Sequence, residues 1–204
     1  MPNRNPRASL RLRQQIAAEA ARILATEGQR NYRLAKEKAA ARLGASSRTA
    51  LPSNTEVEAE LRRYQALYGG TDQTRHLSEL REAAARAMQF LARFRPRLCG
   101  PVLEGTADLH SRIQLQVFCE QPEEVLLFLH ERGIAFDEER RRIRWFDNSQ
   151  RDLELLVFEA GDQVFELILR SGSAAREPLP DPVSGRRQRR AGLSEVRRLI
   201  DSDT

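Results

Sequence analysis

The chain lacks the long apolar runs and the aromatic content that would place it in several large protein classes. No apolar stretch approaches the roughly 20 residues that a membrane helix needs, so we expect no membrane partner. No apolar segment follows the basic N-terminus, so a secretory signal is not predicted. Aromatic residues make up only 6% of the 204 residues. We therefore expect a core of Leu, Ile, Val and Ala, with the single tryptophan, Trp145, in that core or at a subunit contact.

Cysteine is also scarce, with Cys99 and Cys119 as the two examples. Their spacing fits neither a zinc-binding pair nor a redox motif. The two thiols could lie near each other if the first two predicted strands form a hairpin. We expect both cysteines to be buried and reduced, as is typical of a cytoplasmic protein.

The charge balance is basic, with 34 Lys and Arg against 29 Asp and Glu and a pI of about 9.8. Such a balance favours polyanionic partners, nucleic acid above all, although a soluble Arg-rich protein has the same composition. The strongest basic cluster lies near the C-terminus and consists of Arg186, Arg187, Arg189 and Arg190. As a flexible arm it could bind RNA, DNA or an acidic protein surface, or it could serve as a solubilising tail.

The hydrophobic periodicity changes from helical to strand-like near residue 96, which predicts an α+β protein. We expect residues 1–8 to be disordered and residues 9–95 to form a helical region that packs on the following domain. Residues 96–170 should form an α/β core with a mixed or antiparallel sheet. Residues 171–191, rich in Ser, Gly, Pro and Arg, are predicted to be a basic flexible linker. A C-terminal helix should occupy residues 192–204.

Local signals place individual elements. Ser53 and Glu56 have the spacing of a capping box, which predicts a helix start at that point. Ala160-Gly161-Asp162 reads as a hairpin turn between two strands. The predicted strands are Pro101–Glu104, Arg112–Phe118, Arg142–Phe146, Leu153–Glu159 and Gln163–Arg170.

The segment from Val102 to Val117 contains a strand, a Gly105-Thr106 turn, a loop, and a second strand that begins at Ser111. This order resembles the active-site segment of the polymerase-β-like nucleotidyltransferase superfamily. The resemblance covers about residues 90–170, and the helical front resembles a small bacterial family of nucleotidyltransferase-like proteins. It implies a sheet domain of nucleotidyltransferase type, with nucleotide binding at Gly105, Thr106, Ser111 and Arg112.

The metal-binding positions of this family are changed in the chain. Members of the superfamily place carboxylates at i and i+2 of one strand and a third on a neighbouring strand, and these hold two Mg²⁺ ions. Here the first two positions read Arg112 and Gln114, and an arginine cannot ligate a cation. The candidates for the third acid are Glu154 and Glu166. We therefore predict no metal site, and Mg²⁺ with a nucleoside triphosphate as cofactor only if the site is active.

These observations lead to three functional hypotheses. The first is a non-catalytic nucleotide- or RNA-binding regulatory protein of a bacterial cytoplasm. The second is an active nucleotidyltransferase with a rearranged metal set of Asp108, Glu154 and Glu166 near Thr106. The third is a protein–protein interaction module that uses the helical region and the C-terminal helix. Asp108 and His110 could form an acid/base pair, or could be ordinary turn residues.

Overall fold

A computed structural model describes residues 6–27, 29, 31–45, 51–68 and 70–203 of the protein. Within these ranges the chain is α+β, as predicted, with seven α-helices and a five-stranded mixed sheet. It divides into two compact units, residues 1–73 and 74–204. Of the segment predicted to be disordered, residues 1–5 lie outside the described residues, and a helix begins at Pro6. None of the described helices is long and apolar enough to cross a membrane.

The first unit contains helices α1 (Pro6–Thr26), α2 (Tyr32–Arg42) and α3 (Asn54–Tyr68). The three helices pack around one core because their apolar residues recur at helical spacing. The fully buried members of this core are Ile16, Ala20, Ala21, Ile23, Ala35, Ala39 and Val57. The first unit therefore has a core of its own.

The predicted capping box at the start of α3 is confirmed. The backbone N–H of Ser53 donates to the Glu56 carboxylate at 2.6 Å, and the N–H of Glu56 donates to Ser53 Oγ at 3.2 Å. Arg13 of α1 donates to the same carboxylate through Nε at 2.9 Å and Nη2 at 2.6 Å. These bonds, with that of Arg13 the largest cause, lower the pKa of Glu56 to about 2.

We expect the substitution Glu56→Gln to make the first unit less stable at neutral pH by about 0.5–1 kcal/mol, because one cap and one half-exposed ion pair are lost. The folded-state pKa of Glu56 lies below its ordinary value of 4.5. The stabilisation is therefore present above pH 4.5 and disappears as the pH falls towards 2. Urea unfolding followed by far-UV circular dichroism at pH 7, 4, 3 and 2 measures this. A stability difference that stays constant over that range would contradict the prediction.

The second unit is built on a sheet with the strand order β1-β2-β5-β4-β3. Neighbouring strands are antiparallel except β2 and β5, which run parallel. The strands are β1 (Arg97–Cys99), β2 (Ile113–Cys119), β3 (Asp137–Arg144), β4 (Gln150–Ala160) and β5 (Gln163–Ser171). The predicted hairpin is confirmed, because Ala160 pairs with Gln163 across a two-residue turn.

Helices cover one face of this sheet. They are α4 (Gly70–Phe90), α5 (Gly100–Glu104), α6 (Glu123–Glu131) and α7 (Leu193–Asp203). The main core lies between them and the alternate residues of β2, β4 and β5 that point to that face. Leu80 and Met88 of α4 belong to this core, so α4 is part of the sheet unit. The boundary between the two compact units falls at residue 73, within the region predicted to be helical (residues 9–95).

The strand predicted over Pro101–Glu104 is wrong, because these residues form the short helix α5. Pro101 occupies the first turn of that helix, where the missing N–H needs no partner. Gly105 ends the helix with a φ of 77°, a left-handed conformation that glycine adopts without steric conflict. The strand that precedes it, β1, has no counterpart among the predicted strands, and β3 begins five residues before the strand predicted at Arg142.

The segment predicted as a flexible linker instead lies on the sheet. After a 3₁₀ turn over Gly172–Arg176, residues 179–191 form what we call the covering loop. Ala191 and Leu98 exchange backbone hydrogen bonds of 2.9 and 2.8 Å. The side chain of Leu179 is buried against Leu155 and Ile168, on the sheet face opposite the helices. Apolar burial and backbone pairing therefore hold a segment whose composition is typical of open chain.

Candidate functional site

The alternation of β2 places Arg112 and Gln114 on the sheet face opposite the helices, since Ile113 and Leu115 belong to the main core. Gln114 lies directly beside Glu166 in the parallel register of β2 and β5. The structure thus brings together three residues that the sequence pattern singles out. Glu166 is the candidate acid that belongs to this group.

Glu166 is completely buried, and two arginines surround its carboxylate. Arg141 of β3 donates through Nη1 to Oε1 at 2.8 Å and through Nη2 to Oε2. Nη1 of Arg112 lies 3.6 Å from Oε2 of the same carboxylate. A buried charge needs a partner of opposite charge. The two guanidinium groups supply that partner for the Glu166 carboxylate, on the sheet face opposite the helices.

Arg112 also pairs with a second carboxylate, that of Glu139 on β3. Its Nη1 donates to the two oxygens of Glu139 at 3.2 and 2.9 Å. These bonds are the main cause that raises the pKa of Arg112. The Arg112 guanidinium therefore lies between the carboxylates of Glu139 and Glu166, as a metal ion lies between its acidic ligands. We call Arg112, Glu139, Arg141 and Glu166 the charge cluster.

The other candidate acids do not join the charge cluster. Val157 is opposite Glu166 in the β4–β5 register, so Glu154, three residues away on β4, points to the other face of the sheet. Glu154 is exposed. Asp108 lies in the loop before β2, where its carboxylate accepts from the Ser111 hydroxyl at 2.7 Å. Among the described residues, no group of three or more His, Cys, Asp or Glu side chains is placed to hold a metal ion.

The predicted phosphate-binding turn has a structural role. Gly105 is the end of α5 and faces Arg81 and Leu77 of α4, on the helical side of the sheet. The N–H of Thr106 donates to the carbonyl of Pro101 at 3.0 Å. The Ser111 hydroxyl closes the turn with Asp108, and the Asp108 carboxylate also accepts from the N–H of His110 at 3.0 Å. Among the predicted nucleotide-binding residues, Arg112 is the one that the structure places in the charge cluster.

Gly100, rather than the predicted Gly105, lies beside Gln114 on the face of the charge cluster. Gly100, the first residue of α5, has a φ of 70°, and a Cβ at this position would collide with the side-chain amide of Gln114. The glycine therefore permits a close approach of the backbone to the charge-cluster face. The Gly100-Pro101 dipeptide is a turn signal that sequence reasoning could have used. Cys99 precedes it, and complete burial raises the pKa of its thiol to about 12.

A cleft of about 570 Å³ opens beside the charge cluster, between the ends of β2 and β3 and the covering loop. We call it the main cleft. Its lining combines the amides of Gln114 and Gln188, the guanidinium of Arg141 and the aromatic ring of Trp145. Trp145 is half-buried and carries the Arg151 guanidinium 4.1 Å from its ring centre. Trp145, expected in the core or at a subunit contact, packs against the small core that contains Leu155, Ile168 and Leu179, and it also borders the cavity.

The predicted basic arm belongs to the covering loop. Arg189 pairs with Glu195 of α7 at 2.7 Å, and the Arg190 guanidinium lies 5.6 Å from the ring centre of Phe118. Arg186 and Arg187 are exposed. Gln188, next to Arg189, accepts a hydrogen bond of 2.8 Å from the side chain of Gln116 on β2, and this bond attaches the covering loop to the sheet. Arg189 and Arg190 therefore have separate partners, whereas the side chains of Arg186 and Arg187 face solvent.

The two cysteines are buried and unpaired, as expected. They are not neighbours, because Cys99 is opposite Gln114 in the β1–β2 register and Cys119 lies five residues further along β2. At about 3.3 Å per residue, the two positions are roughly 16 Å apart along the strand. The thiols are thus independent of each other.

Comparison of the chain with protein-family models, with curated proteins and with solved structures found no match. The resemblance to nucleotidyltransferases therefore stays a prediction. What the geometry establishes is a buried acid with two arginine partners, a second acid that shares one of them, and an adjoining cleft with amide, cationic and aromatic groups. This combination can bind an anionic ligand with a flat apolar part.

Proposed function

We propose that the protein binds a nucleotide in the main cleft without catalysing nucleotidyl transfer. The observation that carries the proposal is the position of Arg112, whose guanidinium lies between the carboxylates of Glu139 and Glu166. In a metal-dependent transferase such acids would hold the ions that bind the triphosphate. In this chain the Arg112 guanidinium, a permanent positive charge, lies between the carboxylates of Glu139 and Glu166.

The dimensions and chemistry of the main cleft support a nucleotide as ligand. Its volume of about 570 Å³ falls within the range of roughly 300–1,000 Å³ that is typical of small-molecule sites. The Trp145 ring offers a surface on which a base can stack. Arg141 lines the cleft while it pairs with Glu166, and Arg144 contributes a second exposed guanidinium. These cations suit phosphate oxygens.

The same charges disfavour catalysis by divalent metals. A metal ion placed beside Glu166 would lie close to both Arg112 and Arg141, and like charges repel strongly at such distances. The carboxylate lone pairs that would ligate the metal already accept hydrogen bonds from arginine. A role in sensing or storing the nucleotide follows from binding without turnover.

Isothermal titration of the full chain with ATP, GTP, CTP and UTP, each with Mg²⁺ and with EDTA, tests the proposal. We expect at least one nucleotide to bind in the absence of Mg²⁺, because Arg141 and Arg144 line the cleft and can contact the phosphates without a metal ion. The substitution Trp145→Leu should weaken that binding about tenfold, since stacking of a base on an aromatic ring is worth roughly 1–3 kcal/mol.

The matched control is Arg63→Gln, which removes a largely exposed arginine of α3 in the other unit. It changes the net charge but none of the cleft residues, so nucleotide affinity should remain as in the wild type. Failure of all four nucleotides to bind would overturn the proposal. A strict requirement for Mg²⁺ would also overturn it, because metal would then be held despite Arg112.

A further inference from the structure

A second cavity, of about 540 Å³, lies on the same sheet unit and has a concentrated positive charge. Four arginines line it, against a single carboxylate, that of Glu120. They come from four separate segments: the turn before β1, β1 itself, the 3₁₀ turn after β5, and the covering loop. They are Arg95, Arg97, Arg176 and Arg190. We call this cavity the arginine pocket.

The arginines of the pocket lack counterions. Several arginines elsewhere on the sheet unit lie against a carboxylate, as Arg189 does with Glu195 at 2.7 Å. Within the part of the chain that the structure describes, none of the four pocket arginines forms an ion pair with a carboxylate. Each is exposed, so each guanidinium is available to a ligand that enters from solvent.

A fifth cation lies beneath the arginine pocket. Arg170 is buried, lies beside Phe118 in the β2–β5 register, and donates to the carbonyl of Glu177 at 2.6 Å. Its Nε is buried without a hydrogen-bond partner among the described residues. Burial is the main cause that lowers the pKa of Arg170, and the charge of Arg190 lowers it further. The repulsion among these cations would be relieved by a bound anion.

The backbone fixes two of the arginines in place. Arg95 has a φ of 47°, a left-handed conformation that costs a residue with a Cβ roughly 1 kcal/mol. Arg190 lies between two anchored neighbours, because Gln188 bonds to Gln116 and Ala191 pairs with Leu98. The backbone of these two arginines is therefore already ordered, so a ligand has to order only their side chains.

The arginine pocket is separate from the main cleft. On one face of β2, Gln114 lines the main cleft, Gln116 bonds the covering loop, and Phe118 lines the arginine pocket. Four residues of strand span roughly 13 Å. The covering loop crosses between the two cavities, so a ligand in one does not occupy the other.

We infer that the arginine pocket is a second ligand site, which binds a phosphorylated molecule with at least two negative charges. Guanidinium groups match phosphate oxygens through paired hydrogen bonds, and several of them together suit a multiply charged anion. The phosphates can come from a small molecule or from a nucleic-acid backbone, since both present the same oxygens. Ligand binding in this pocket does not depend on nucleotide binding in the main cleft.

Isothermal titration with pyrophosphate in 50 mM NaCl tests the inference, with the double variant Arg176→Gln/Arg190→Gln. We expect the wild type to bind and the variant to bind about 100-fold more weakly, because two charged hydrogen-bond donors are removed. The matched control is Arg186→Gln/Arg187→Gln. It removes the same amount of charge, in this case from the covering loop alone, but neither residue lines the pocket. Binding should therefore stay within about threefold of the wild type.

Two further variants distinguish a ligand site in the arginine pocket from a loss of folding and from binding in the main cleft. Arg95→Gly removes a pocket cation and also relieves the positive φ, so weaker pyrophosphate binding by this variant cannot be ascribed to unfolding. Trp145→Leu should leave pyrophosphate binding unchanged, because Trp145 lines the main cleft. Failure of nucleotide binding and failure of pyrophosphate binding are therefore distinguishable.

A ten-residue uridine RNA identifies the source of the phosphates. Binding about tenfold tighter than that of pyrophosphate, lost in Arg176→Gln/Arg190→Gln, indicates a nucleic-acid backbone. Pyrophosphate binding that the RNA does not exceed indicates a small phosphorylated molecule. The inference is overturned if neither probe binds the wild type, or if the two double variants lose affinity equally.

Discussion

Replacement of Arg141 by methionine should lower the free energy of unfolding of the sheet unit by about 3 kcal/mol. The Glu166 carboxylate has no solvent exposure, and Arg141 is its nearest cation. Removing one member of a buried ion pair leaves an uncompensated charge, which costs roughly 3–5 kcal/mol. The expected value is at the low end because the Arg141 side chain is 40% exposed and Arg112 remains 3.6 Å from the carboxylate.

A second substitution shows whether the loss comes from the buried charge. The double variant Arg141→Met/Glu166→Met replaces the ion pair by apolar groups, and such replacements are often neutral or stabilising. It should therefore recover most of the stability that the single variant loses. Urea unfolding followed by the fluorescence of Trp145, the single tryptophan, reports on the sheet unit. A single variant as stable as the wild type, or a double variant no better than the single one, would show that the buried charge does not need Arg141.

Elements with strong local signals could be predicted from the sequence. The capping box of Ser53 and Glu56 and the hairpin around Gly161 depend on neighbouring residues alone, and both are present. Helix α5 is easily mistaken for a strand because five residues carry too little periodicity to separate the two structures. Pro101 and Gly105 mark the start and end of that helix, and this signal should have outweighed the apolar run.

The candidate site was only partly predictable, because it depends on pairing between distant strands. The choice between Glu154 and Glu166 requires knowledge of how β5 pairs with β2 and with β4, because this pairing places Glu166 beside Gln114. The sequence around Glu139 and Arg141 is a run of charges that is typical of a solvated strand. Their place in the charge cluster follows from the position of β3 at the edge of the sheet, not from any local pattern.

The covering loop shows how composition can mislead. Its Ser, Gly, Pro and Arg content is typical of open chain, and a flexible linker is the natural expectation. Two kinds of contact decide otherwise: the burial of Leu179, and hydrogen bonds from Gln116 and Leu98 of the sheet. The hydrogen bonds join residues at least 72 positions apart in the sequence, and Leu179 packs on residues of two other strands, β4 and β5. Local rules cannot detect such partners.

The double substitution Arg112→Asp/Gln114→Asp should give the protein a divalent-metal site in place of the Arg112 guanidinium. Both positions point to the same face of β2, and residue 114 is beside Glu166 on the neighbouring strand. Adjacent strands are about 4.8 Å apart, so the two new carboxylates would lie within reach of one ion beside Glu166. Arg141 remains paired with Glu166, and it is then the single arginine left in the charge cluster. The change also removes the guanidinium that pairs with Glu139, which frees a further oxygen ligand.

We expect the double variant to bind Mn²⁺ with a dissociation constant below about 1 mM, the weak end of the affinities of protein carboxylate sites for divalent cations. Nucleotide binding should then depend on the metal, because the fixed cation is gone. The control is Arg112→Asn/Gln114→Asn, which has the same shape but supplies no charge. Titration calorimetry with Mn²⁺ and electron paramagnetic resonance measure the binding. A folded Asp variant that binds Mn²⁺ no better than the Asn variant would show that Arg112 does not occupy the place of a metal, and the proposed relation to nucleotidyltransferases would lose its basis.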